Sequence, residues 1–491
     1  MERQQMFING QWIDSESEKT REIINPFNQE VVAIATEGDT RDAKRAIEAA
    51  REAFDDGNWA STPANEREYM LFQVAERIQE NKDELARLES LDTGKTLTES
   101  VADMDDITEV FRYFAGLADK DGGEIIESPI PKSSSKVVRE PVGVCTQISP
   151  WNYPLLQASW KIAPALAAGN TIIMKPSEIT PLTTVKMTQI LEEVGFPKGV
   201  VNLVLGAGAT VGQEMVENHN VDLVSFTGGI ETGRKIMNAA AGNMKKIAFE
   251  LGGKNPNIVF ADADFETAVD QALNAVYFHA GQVCSAGSRL LVEDSIHDKF
   301  VDALVERASK IRLGNGFDKD TESGPLISAE HRAKVEKYVE IGKEEGAKLV
   351  VGGKRPEDSV LQDGFFYLPT IFTECENDMR IVQEEIFGPV LTIERFTSEE
   401  EVVKRANSTT YGLAGAVWTT DAKKADRVAS NLRLGTVWIN DFHPYFAQAP
   451  WGGFKQSGIG RELGKQGLEE YTEVKHIFEN HQPEPVNWFK G

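Results

Sequence analysis

The strongest constraint on the fold of this chain is a series of short β-rich segments that alternate with helical segments. After Val142 the β-rich segments read VGVCTQI, TIIMK, VVNLVL, VDLVSF and KIAFEL. Such alternation is typical of βαβ units, in which parallel strands form a sheet covered by helices on both faces. A second alternating series runs from RLLVED to GTVWIND. We therefore predict an α/β protein with two α/β domains.

The segments that flank these two series follow other patterns. An amphipathic helix is predicted for TRDAKRAIEAAREAF, because Ala43, Ile47 and Phe54 fall on one face. A longer amphipathic stretch follows, from Asn65 to Leu91. Residues 119–141 contain several Pro and Ser residues, which interrupt helices and strands and indicate an excursion from the main fold. The C-terminal segment YTEVKHIFENHQPEP begins with a β-like run, and we expect it to pair with a sheet edge in this chain or in a partner.

The composition excludes several classes of protein. Its 491 residues are enough for two or three domains, and 41% hydrophobic with 26% charged residues is ordinary for a globular enzyme. No window approaches the roughly eighteen unbroken apolar residues of a membrane span. The start MERQQMFINGQW lacks the pattern of a signal peptide. We expect a cytoplasmic protein with no membrane partner.

The net charge and the arrangement of cysteines and histidines argue against nucleic acid and metal ions as ligands. The chain has 52 basic and 77 acidic residues, and its formal net charge of −25 repels nucleic acid. Cys145, Cys284 and Cys375 form no CxxC pair, and the seven histidines form no HExxH motif, so we expect no protein-ligated metal. Three widely spaced cysteines also suit a reducing compartment.

Polar residues and glycines stand at the ends of five consecutive β-rich segments. These are, in chain order, Asn152, Lys175 with Glu178, Gly206–Gly212, Gly228–Gly233 and Glu250. Ligands of open α/β sheets bind at the carboxyl ends of the strands. Glycines there let a backbone approach a pyrophosphate, and Glu178 would accept hydrogen bonds from ribose hydroxyls. Each glycine stretch alone is an ordinary turn, but the combination predicts a dinucleotide site.

Two residues suggest the chemistry. Cys284 lies in the Gly-rich stretch FHAGQVCSAGSR, after a helix expected to end at Gly281. A free cysteine is often a packed core residue, whereas a loop thiol with a base nearby is a candidate nucleophile. Glu250 ends a predicted strand among apolar neighbours, which would raise its pKa and suit it to act as a base. The ordinary alternative for Glu250 is a solvated or ion-paired carboxylate.

Seven motifs in this order resemble those of the NAD(P)-dependent aldehyde dehydrogenase superfamily. They are PWNYP, MKPSE, FTGG, FELGGKNP, GQVCSAGSR, EEIFGPV and GRELG. The resemblance implies a Rossmann-type parallel-sheet cofactor domain, an α/β catalytic domain and a small β oligomerisation element. It places the cofactor domain at residues 1–118 and 142–253, the catalytic domain at 254–456, and the oligomerisation element at 119–141 and 457–491. A homodimer or homotetramer is therefore expected.

The resemblance also implies roles for individual residues. Cys284 would be the nucleophile and Glu250 the base that activates water, and Asn152 would form the oxyanion hole with the Cys284 N–H. Lys161 and Glu462 resemble an outer proton-relay pair. The residues expected to bind the coenzyme are Ser149, Trp151, Lys175, Ser177, Glu178, Gly208, Thr227, Gly228, Gly229, Leu251, Glu385 and Phe387. Gly229 departs from the family, which often has Ser there, so pyrophosphate binding would rest on backbone N–H groups. Glu178 should repel the 2′-phosphate of NADP and favour NAD.

Three aromatic residues near these motifs bear on the aldehyde. Rings of Tyr153, Trp160 and Trp451 that face one space would hold a quaternary ammonium by cation–π attraction, worth about 0.5–2 kcal/mol per contact. On spacing alone, an apolar tunnel for ordinary aldehydes is as good an interpretation. HPYFAQAPWGG and WNYPLLQASW are similar to the betaine aldehyde dehydrogenases within the family, which implies oxidation of betaine aldehyde to glycine betaine.

Other substrates and other functions remain open at this point. An aminoaldehyde such as 4-aminobutanal, or a broad range of aldehydes, would use the same catalytic residues. A cysteine-dependent acyl hydrolase would need the thiol but no dinucleotide site, so Glu178 and the glycine stretches would go unexplained. A noncatalytic binding protein would need neither Cys284 nor Glu250.

Overall fold

The computed structural model of the chain describes residues 3–120 and 122–489. The strands are β1 (Arg3–Gln4), β2 (Met6–Ile8), β3 (Gln11–Ile13), β4 (Thr20–Ile24), β5 (Val31–Thr36), β6 (Glu124–Ile126), β7 (Ser133–Pro141), β8 (Val144–Ile148), β9 (Thr171–Lys175), β10 (Val201–Leu203), β11 (Leu223–Thr227), β12 (Lys246–Glu250), β13 (Pro256–Val259), β14 (Arg289–Glu293), β15 (Lys348–Val351), β16 (Thr370–Thr373), β17 (Val390–Phe396), β18 (Ala414–Trp418), β19 (Thr436–Ile439), β20 (Gly458–Ile459) and β21 (Thr472–Asn480).

Helices separate most of these strands. They are α1 (Thr40–Asp55), α2 (Ala64–Glu80), α3 (Lys82–Thr93), α4 (Leu97–Leu117), α5 (Pro154–Ala168), α6 (Leu182–Val194), α7 (Gln213–Glu217), α8 (Ile230–Ala240), α9 (Phe265–Tyr277), α10 (His297–Ala308), α11 (Ala329–Glu344), α12 (Arg380–Gln383), α13 (Glu399–Ala406), α14 (Ala422–Asn431) and α15 (Gly464–Glu470).

The first large sheet contains the five strands predicted from the first β-rich series. Its order is β20-β12-β11-β8-β9-β10-β2-β3, and the five strands from β12 to β10 run parallel. Strands β8, β9, β10 and β11 are buried along their whole length, as expected for a sheet with helices on both faces. The carboxyl ends of these parallel strands therefore lie along one edge of the sheet.

The second large sheet corresponds to the second series. Its order is β15-β16-β17-β14-β13-β18-β19, and only β15 runs antiparallel to its neighbour. Strands β13 and β16 were not predicted from the sequence, because each has only four residues and no long apolar run. The N-terminal strands β1 to β5 were not predicted either. The α/β fold class is nevertheless confirmed by both sheets.

A small antiparallel sheet joins the excursion to the C-terminal segment. Strand β21 pairs with β7 from Thr472 opposite Pro141 to Asn480 opposite Ser133, and β6 pairs with the other side of β7. The C-terminal segment thus pairs with a sheet edge of its own chain. Within the ranges expected for the domains, residues 1, 2, 121, 490 and 491 lie outside the described residues.

The long amphipathic stretch predicted from Asn65 to Leu91 is two helices, not one. Helix α2 ends at Glu80 and α3 begins at Lys82. Between them, the Asn81 side-chain amide donates to the Arg77 carbonyl at 2.8 Å. Asn side chains compete for backbone groups in this way, which explains the break in an otherwise continuous pattern.

Helix α9 ends earlier than predicted, and this sets the path toward Cys284. It ends at Tyr277 rather than Gly281, and His279, Ala280 and Gly281 then have φ values of 46°, 52° and 73°. Left-handed backbone is unfavourable for His279 and Ala280, which carry a Cβ, whereas Gly281 adopts it readily. The His279 N–H donates to the buried Glu99 carboxylate at 2.8 Å, which holds this turn in place.

Candidate active site

One cavity of about 890 Å³ collects most of the predicted site residues. It lies at the carboxyl ends of the first sheet, where Asn152, Lys175, Thr227 and Glu250 line it. All twelve residues predicted to bind a coenzyme are in its lining, and so are Tyr153, Cys284 and Trp451. Lys161, Glu462 and Trp160 lie outside that lining.

Cys284 is the cysteine that the cavity reaches. Its side chain is partly exposed, whereas Cys145 and Cys375 are buried. Burial, the largest cause, together with the Glu250 and Glu385 carboxylates raises the pKa of the Cys284 thiol to about 12. The backbone N–H groups of Ser285 and Cys284 act in the opposite direction. Forming the thiolate therefore requires a nearby base or a compensating positive charge.

Asn152 is held beside the Cys284 loop. Its side-chain Nδ2 donates to the Gln282 carbonyl at 2.8 Å, two residues before Cys284. The residue is buried and lines the cavity. Nδ2 carries two hydrogens, so one remains for a second acceptor. This is the donor type that an oxyanion next to Cys284 would need.

Glu250 is a buried carboxylate at the end of β12. Neither side-chain oxygen has a hydrogen-bond partner among residues 3–120 and 122–489. Burial raises its pKa well above the ordinary value, and the Glu462 carboxylate adds to the rise, while Lys161 and Arg461 oppose it. A carboxylate with a raised pKa in a cavity can take a proton from water near neutral pH.

Lys161 and Glu462 form a buried ion pair close enough to Glu250 to affect its pKa. The Lys161 ammonium donates to the Glu462 carboxylate. Burial raises the pKa of Glu462. The backbone of Glu462 also exchanges hydrogen bonds with that of Trp451, at 2.6 and 2.7 Å. The pair is therefore tied to a residue that lines the cavity.

The side of the cavity formed by the first large sheet contains a charged pair and residues of two glycine-rich stretches. Lys175 lies 3.6 Å from the Glu178 carboxylate and donates to the Pro176 carbonyl at 2.9 Å. Gly229 is the N-cap of α8, whose first-turn N–H groups point toward the cavity end of the sheet. A Cβ at Gly208 or Gly229 would meet no atom within 4 Å, so both glycines border open space.

The opposite wall carries Glu385 and Phe387. The Glu385 carboxylate accepts a hydrogen bond from Gly253 N at 3.0 Å, and a Cβ at Gly252 would lie 2.1 Å from it. Phe387 has φ of 65° and packs edge-on to Trp151, with ring centroids 5.3 Å apart. A ring nitrogen of His331 bonds to the Phe387 carbonyl at 2.6 Å.

The remaining coenzyme candidates are fixed by backbone and side-chain contacts. Ser149 N donates to the Lys175 carbonyl at 3.1 Å, and Gly228 N donates to the Glu250 carbonyl at 3.0 Å. The Thr227 hydroxyl bonds to the Gln157 side chain at 3.2 Å. Ser177 and Leu251 complete the lining, the latter through a bond from its N–H to the Ser457 carbonyl at 2.8 Å.

The three predicted aromatic residues lie in two groups. The rings of Trp160 and Trp451 are 6.0 Å apart, and Tyr445 packs against both at 5.4 and 6.2 Å. Tyr153 instead packs against His279 at 5.6 Å, and the Lys95 ammonium lies 3.9 Å from its ring centroid. We call Trp160, Trp451 and Tyr445 the ring cluster.

Sequence reasoning missed several residues of this site. Tyr445 lies within HPYFAQAPWGG, and its hydroxyl donates to Asp106 at 2.5 Å. Tyr445 packs against Trp451, which lines the cavity, whereas Gln157, His331 and Lys334 line it directly. An aromatic residue six positions before Trp451 was a usable signal for Tyr445. Nothing local to His331 or Lys334 indicates that α11 begins beside the cavity.

Comparison with known sequences decides the family. The profile of the aldehyde dehydrogenase family matches residues 12–477. The chain belongs to the aldehyde dehydrogenase family. It is 72% identical to the betaine aldehyde dehydrogenase of Bacillus subtilis (strain 168), with 99% of this chain and 100% of that protein covered. It is 46% identical to the mitochondrial aldehyde dehydrogenase of Homo sapiens, with 96% and 91% covered.

Solved structures of this aldehyde dehydrogenase family share the fold. The betaine aldehyde dehydrogenase of Staphylococcus aureus in complex with NAD+ is 64% identical, with a TM-score of 0.98, and the match covers 99% of this chain and 97% of that one. The aldehyde dehydrogenase-like fold is therefore confirmed. Within the described ranges, no helix has the length and apolar character to cross a membrane.

Proposed function

We propose that the chain oxidises betaine aldehyde to glycine betaine with NAD+ as the hydride acceptor. The observation that carries this proposal is that Cys284 and Glu250 line one cavity beside the ring cluster. The 72% identical relative bears the name of this activity, and the 64% identical structure holds NAD+. Family membership also favours oxidation over the cysteine hydrolase alternative.

Cys284 would act as the nucleophile. Its thiolate adds to the aldehyde carbon, forming a C–S bond, and the carbonyl oxygen becomes the oxyanion of a thiohemiacetal. The second Nδ2 hydrogen of Asn152 and the Cys284 N–H would stabilise that oxyanion, and losing such a donor costs roughly 100-fold or more in rate. A thiol pKa of about 12 makes proton removal part of this step.

The cavity residues fit NAD+. Lys175 and Glu178 would hold the adenosine ribose, the first turn of α8 the pyrophosphate, and Glu385 the nicotinamide ribose. Phe387 and Trp151 would border the nicotinamide. When bound, NAD+ supplies a two-electron acceptor for the hydride that leaves the thiohemiacetal carbon. The open space beside Gly229 leaves the backbone N–H groups accessible to phosphate oxygens.

Glu250 would act as the base for hydrolysis of the resulting thioester. It removes a proton from water, the hydroxide oxygen bonds to the acyl carbon, and the C–S bond breaks to release the acid and the Cys284 thiolate. The proton on Glu250 must then leave the buried site. Lys161 and Glu462, an ion pair that acts on the pKa of Glu250 together with Arg461 and Glu470, would carry the proton outward.

The ring cluster would select the trimethylammonium group. Faces of Trp and Tyr rings attract quaternary ammonium ions, and a buried site strengthens that attraction. The Asp106 carboxylate behind Tyr445 adds negative charge on the same side. An aminoaldehyde would gain less, because its primary ammonium is more strongly hydrated. An enzyme of broad specificity, which oxidises uncharged aldehydes, would gain no binding energy from the negative charge of Asp106.

The proposal is tested by steady-state oxidation without coenzyme A. Purified protein is mixed with NAD+ and either betaine aldehyde, 4-aminobutanal or propanal, and the absorbance of the reduced nicotinamide is followed. We expect the largest kcat/KM with betaine aldehyde. A larger value with another aldehyde would contradict the substrate assignment, and no reduction with any aldehyde would contradict the reaction.

We further propose a cytoplasmic homo-oligomer, dimer or tetramer. In the small sheet β21 is an edge strand, and Val474 and Phe478 on it are 60% and 44% exposed, while Ile125 on β6 is 91% exposed. Exposed apolar edge strands favour pairing with another chain. Residues 119–141 and 457–491 would form this oligomerisation element, with the cofactor and catalytic domains divided near residue 253. Light scattering of the purified chain gives its mass, and a monomer would contradict the proposal.

A further inference from the structure

Asn255 is a buried amide that connects three segments of the site. It lies between β12 and β13, five residues after Glu250. Its Nδ2 donates to the carbonyls of Cys284 and Ala286, each at 2.9 Å. Its Oδ1 accepts a hydrogen bond from Ala414 N at 3.1 Å, at the start of β18. Both amide hydrogens and the amide oxygen are therefore used, and two of the three bonds hold the Cys284 loop.

The bond to the Cys284 carbonyl fixes the direction of the next N–H. The peptide between Cys284 and Ser285 is trans, as are the other peptide bonds of the described chain. In a trans peptide the C=O and the N–H point in opposite directions. With the carbonyl held by Asn255, the Ser285 N–H points away from Asn255, and it is one of the two backbone groups that lower the pKa of the thiol.

Close packing prevents the amide from shifting. A Cβ at Gly253 would lie 2.5 Å from Asn255 Oδ1 and 2.7 Å from the Cys284 carbonyl oxygen. Gly253 itself donates to Glu385 at 3.0 Å. The same short segment thus contacts Glu385 at one end and the Cys284 loop at the other.

We propose that Asn255 is a positioning residue, which stabilises the Cys284 thiolate by aiming the Ser285 N–H at the sulfur. This role rests on the proposed function of Cys284 as the nucleophile. The titratable groups that act on the thiol are Glu250 and Glu385, and Tyr153 lies near it as well. Asn255 is uncharged, so its effect is separable from theirs.

The test is the pH dependence of Cys284 alkylation by iodoacetamide, which needs no turnover. Asn255→Leu keeps a similar size but removes both N–H donors. We expect the midpoint of the rate–pH profile to rise by about one unit, so that alkylation below the midpoint slows roughly tenfold. Cys145 and Cys375 are buried, and Cys284→Ala gives the background rate.

Asn257→Leu is the matched control. Asn257 is a buried amide two residues further on, in β13, and its Oδ1 accepts a hydrogen bond from Trp418 Nε1 at 2.8 Å. It therefore also connects to β18, but not to the Cys284 loop. Its loss should lower the melting temperature and leave the alkylation midpoint unchanged.

Asn255→Ser covers the case in which the Leu variant does not fold. A Ser hydroxyl can donate one bond with a shorter reach, so a smaller upward shift is expected. An unchanged midpoint in a folded Asn255 variant, or an equal shift in Asn257→Leu, would overturn the proposal. If Cys284→Ala still oxidised aldehyde while the Asn255 midpoint shifted, the proposed function would fail and the positioning role would stand.

Discussion

The two ends of the cavity are built differently. At the coenzyme end, backbone groups, glycines and the Lys175–Glu178 pair lie at strand and helix termini. The aldehyde end contains Trp451 of the ring cluster together with buried polar groups that lack a hydrogen-bond partner among the described residues. Neither Glu250 oxygen nor Trp160 Nε1 has a hydrogen-bond partner in the part of the chain that the structure describes. Under the proposed function, the coenzyme end would provide general dinucleotide contacts, whereas the aldehyde end would provide reactivity and selectivity. Changes at each end should affect different kinetic quantities.

The largest effect is expected where the two ends meet, at Cys284. Cys284→Ala removes the sulfur proposed to form the bond to substrate, so kcat should fall by at least about 10⁴-fold. Coenzyme binding should remain, because the residues proposed to contact the coenzyme are other residues of the cavity lining. Nicotinamide absorbance measures the first effect and calorimetric titration with NAD+ the second. Turnover at the wild-type level would refute the role of Cys284.

Glu250→Gln should have the next largest effect, and at the aldehyde end alone. Removal of a general base costs about 10²–10⁴-fold, here in the hydrolysis of the thioester. The raised pKa of Glu250 gives the wild-type protein a kcat that increases with pH as this carboxyl loses its proton. The variant should lose that increase. A pH profile that retains the wild-type shape would show that another group is the base.

Glu178→Gln should change the coenzyme end alone. A carboxylate near the ribose repels a 2′-phosphate, and removing one like-charge contact should raise the NADP-to-NAD ratio of kcat/KM by roughly tenfold. The preference among aldehydes should stay the same. If NADP is used as well as NAD by the unchanged protein, Glu178 does not set the preference.

Trp451→Ala tests whether the ring cluster recognises charge. The loss of one cation–π contact should lower kcat/KM for betaine aldehyde by roughly 2- to 30-fold more than for propanal. Trp451→Phe keeps a ring and serves as the control, with a smaller selective loss. Equal losses for the two aldehydes in Trp451→Ala would mean that the rings are only an apolar wall.

The smallest effect is a shift in pH dependence on removal of Glu462. The Glu462 carboxylate raises the pKa of Glu250, so Glu462→Gln should lower that pKa and move the rise of kcat to lower pH, by less than about one unit. In this variant Lys161 has lost its ion-pair partner, and its positive charge also lowers the pKa of Glu250. A shift to higher pH would contradict this electrostatic coupling.

Sequence predicted the coenzyme end better than the aldehyde end, for a physical reason. Strand ends are visible in the β-rich pattern, and all parallel strands of a sheet bring their carboxyl ends together, so Lys175, Glu178 and Gly229 were correctly expected at one edge. Cys284 also lies on a loop that reaches the cavity, as predicted. The fold class followed from the same alternation.

The aldehyde end depends on contacts between distant segments, which no local pattern encodes. Tyr445 packs against Trp160, which is far from it in the sequence, and Tyr153 packs against Lys95 instead. The left-handed turn at His279–Gly281 was missed because a carboxylate from a remote helix, Glu99, holds it. Asn255 likewise acts through three segments that are far apart in sequence.

The central claim is that Cys284 and Glu250 divide the chemistry between bond formation and hydrolysis. Pre-steady-state mixing of Glu250→Gln with saturating NAD+ and betaine aldehyde tests it most directly, followed by acid quench and mass measurement of the Cys284 peptide. We predict a burst of one reduced nicotinamide per subunit, slow turnover afterwards, and an acyl group on that peptide. Undiminished turnover without a burst, or a burst with an unmodified peptide, would contradict the account.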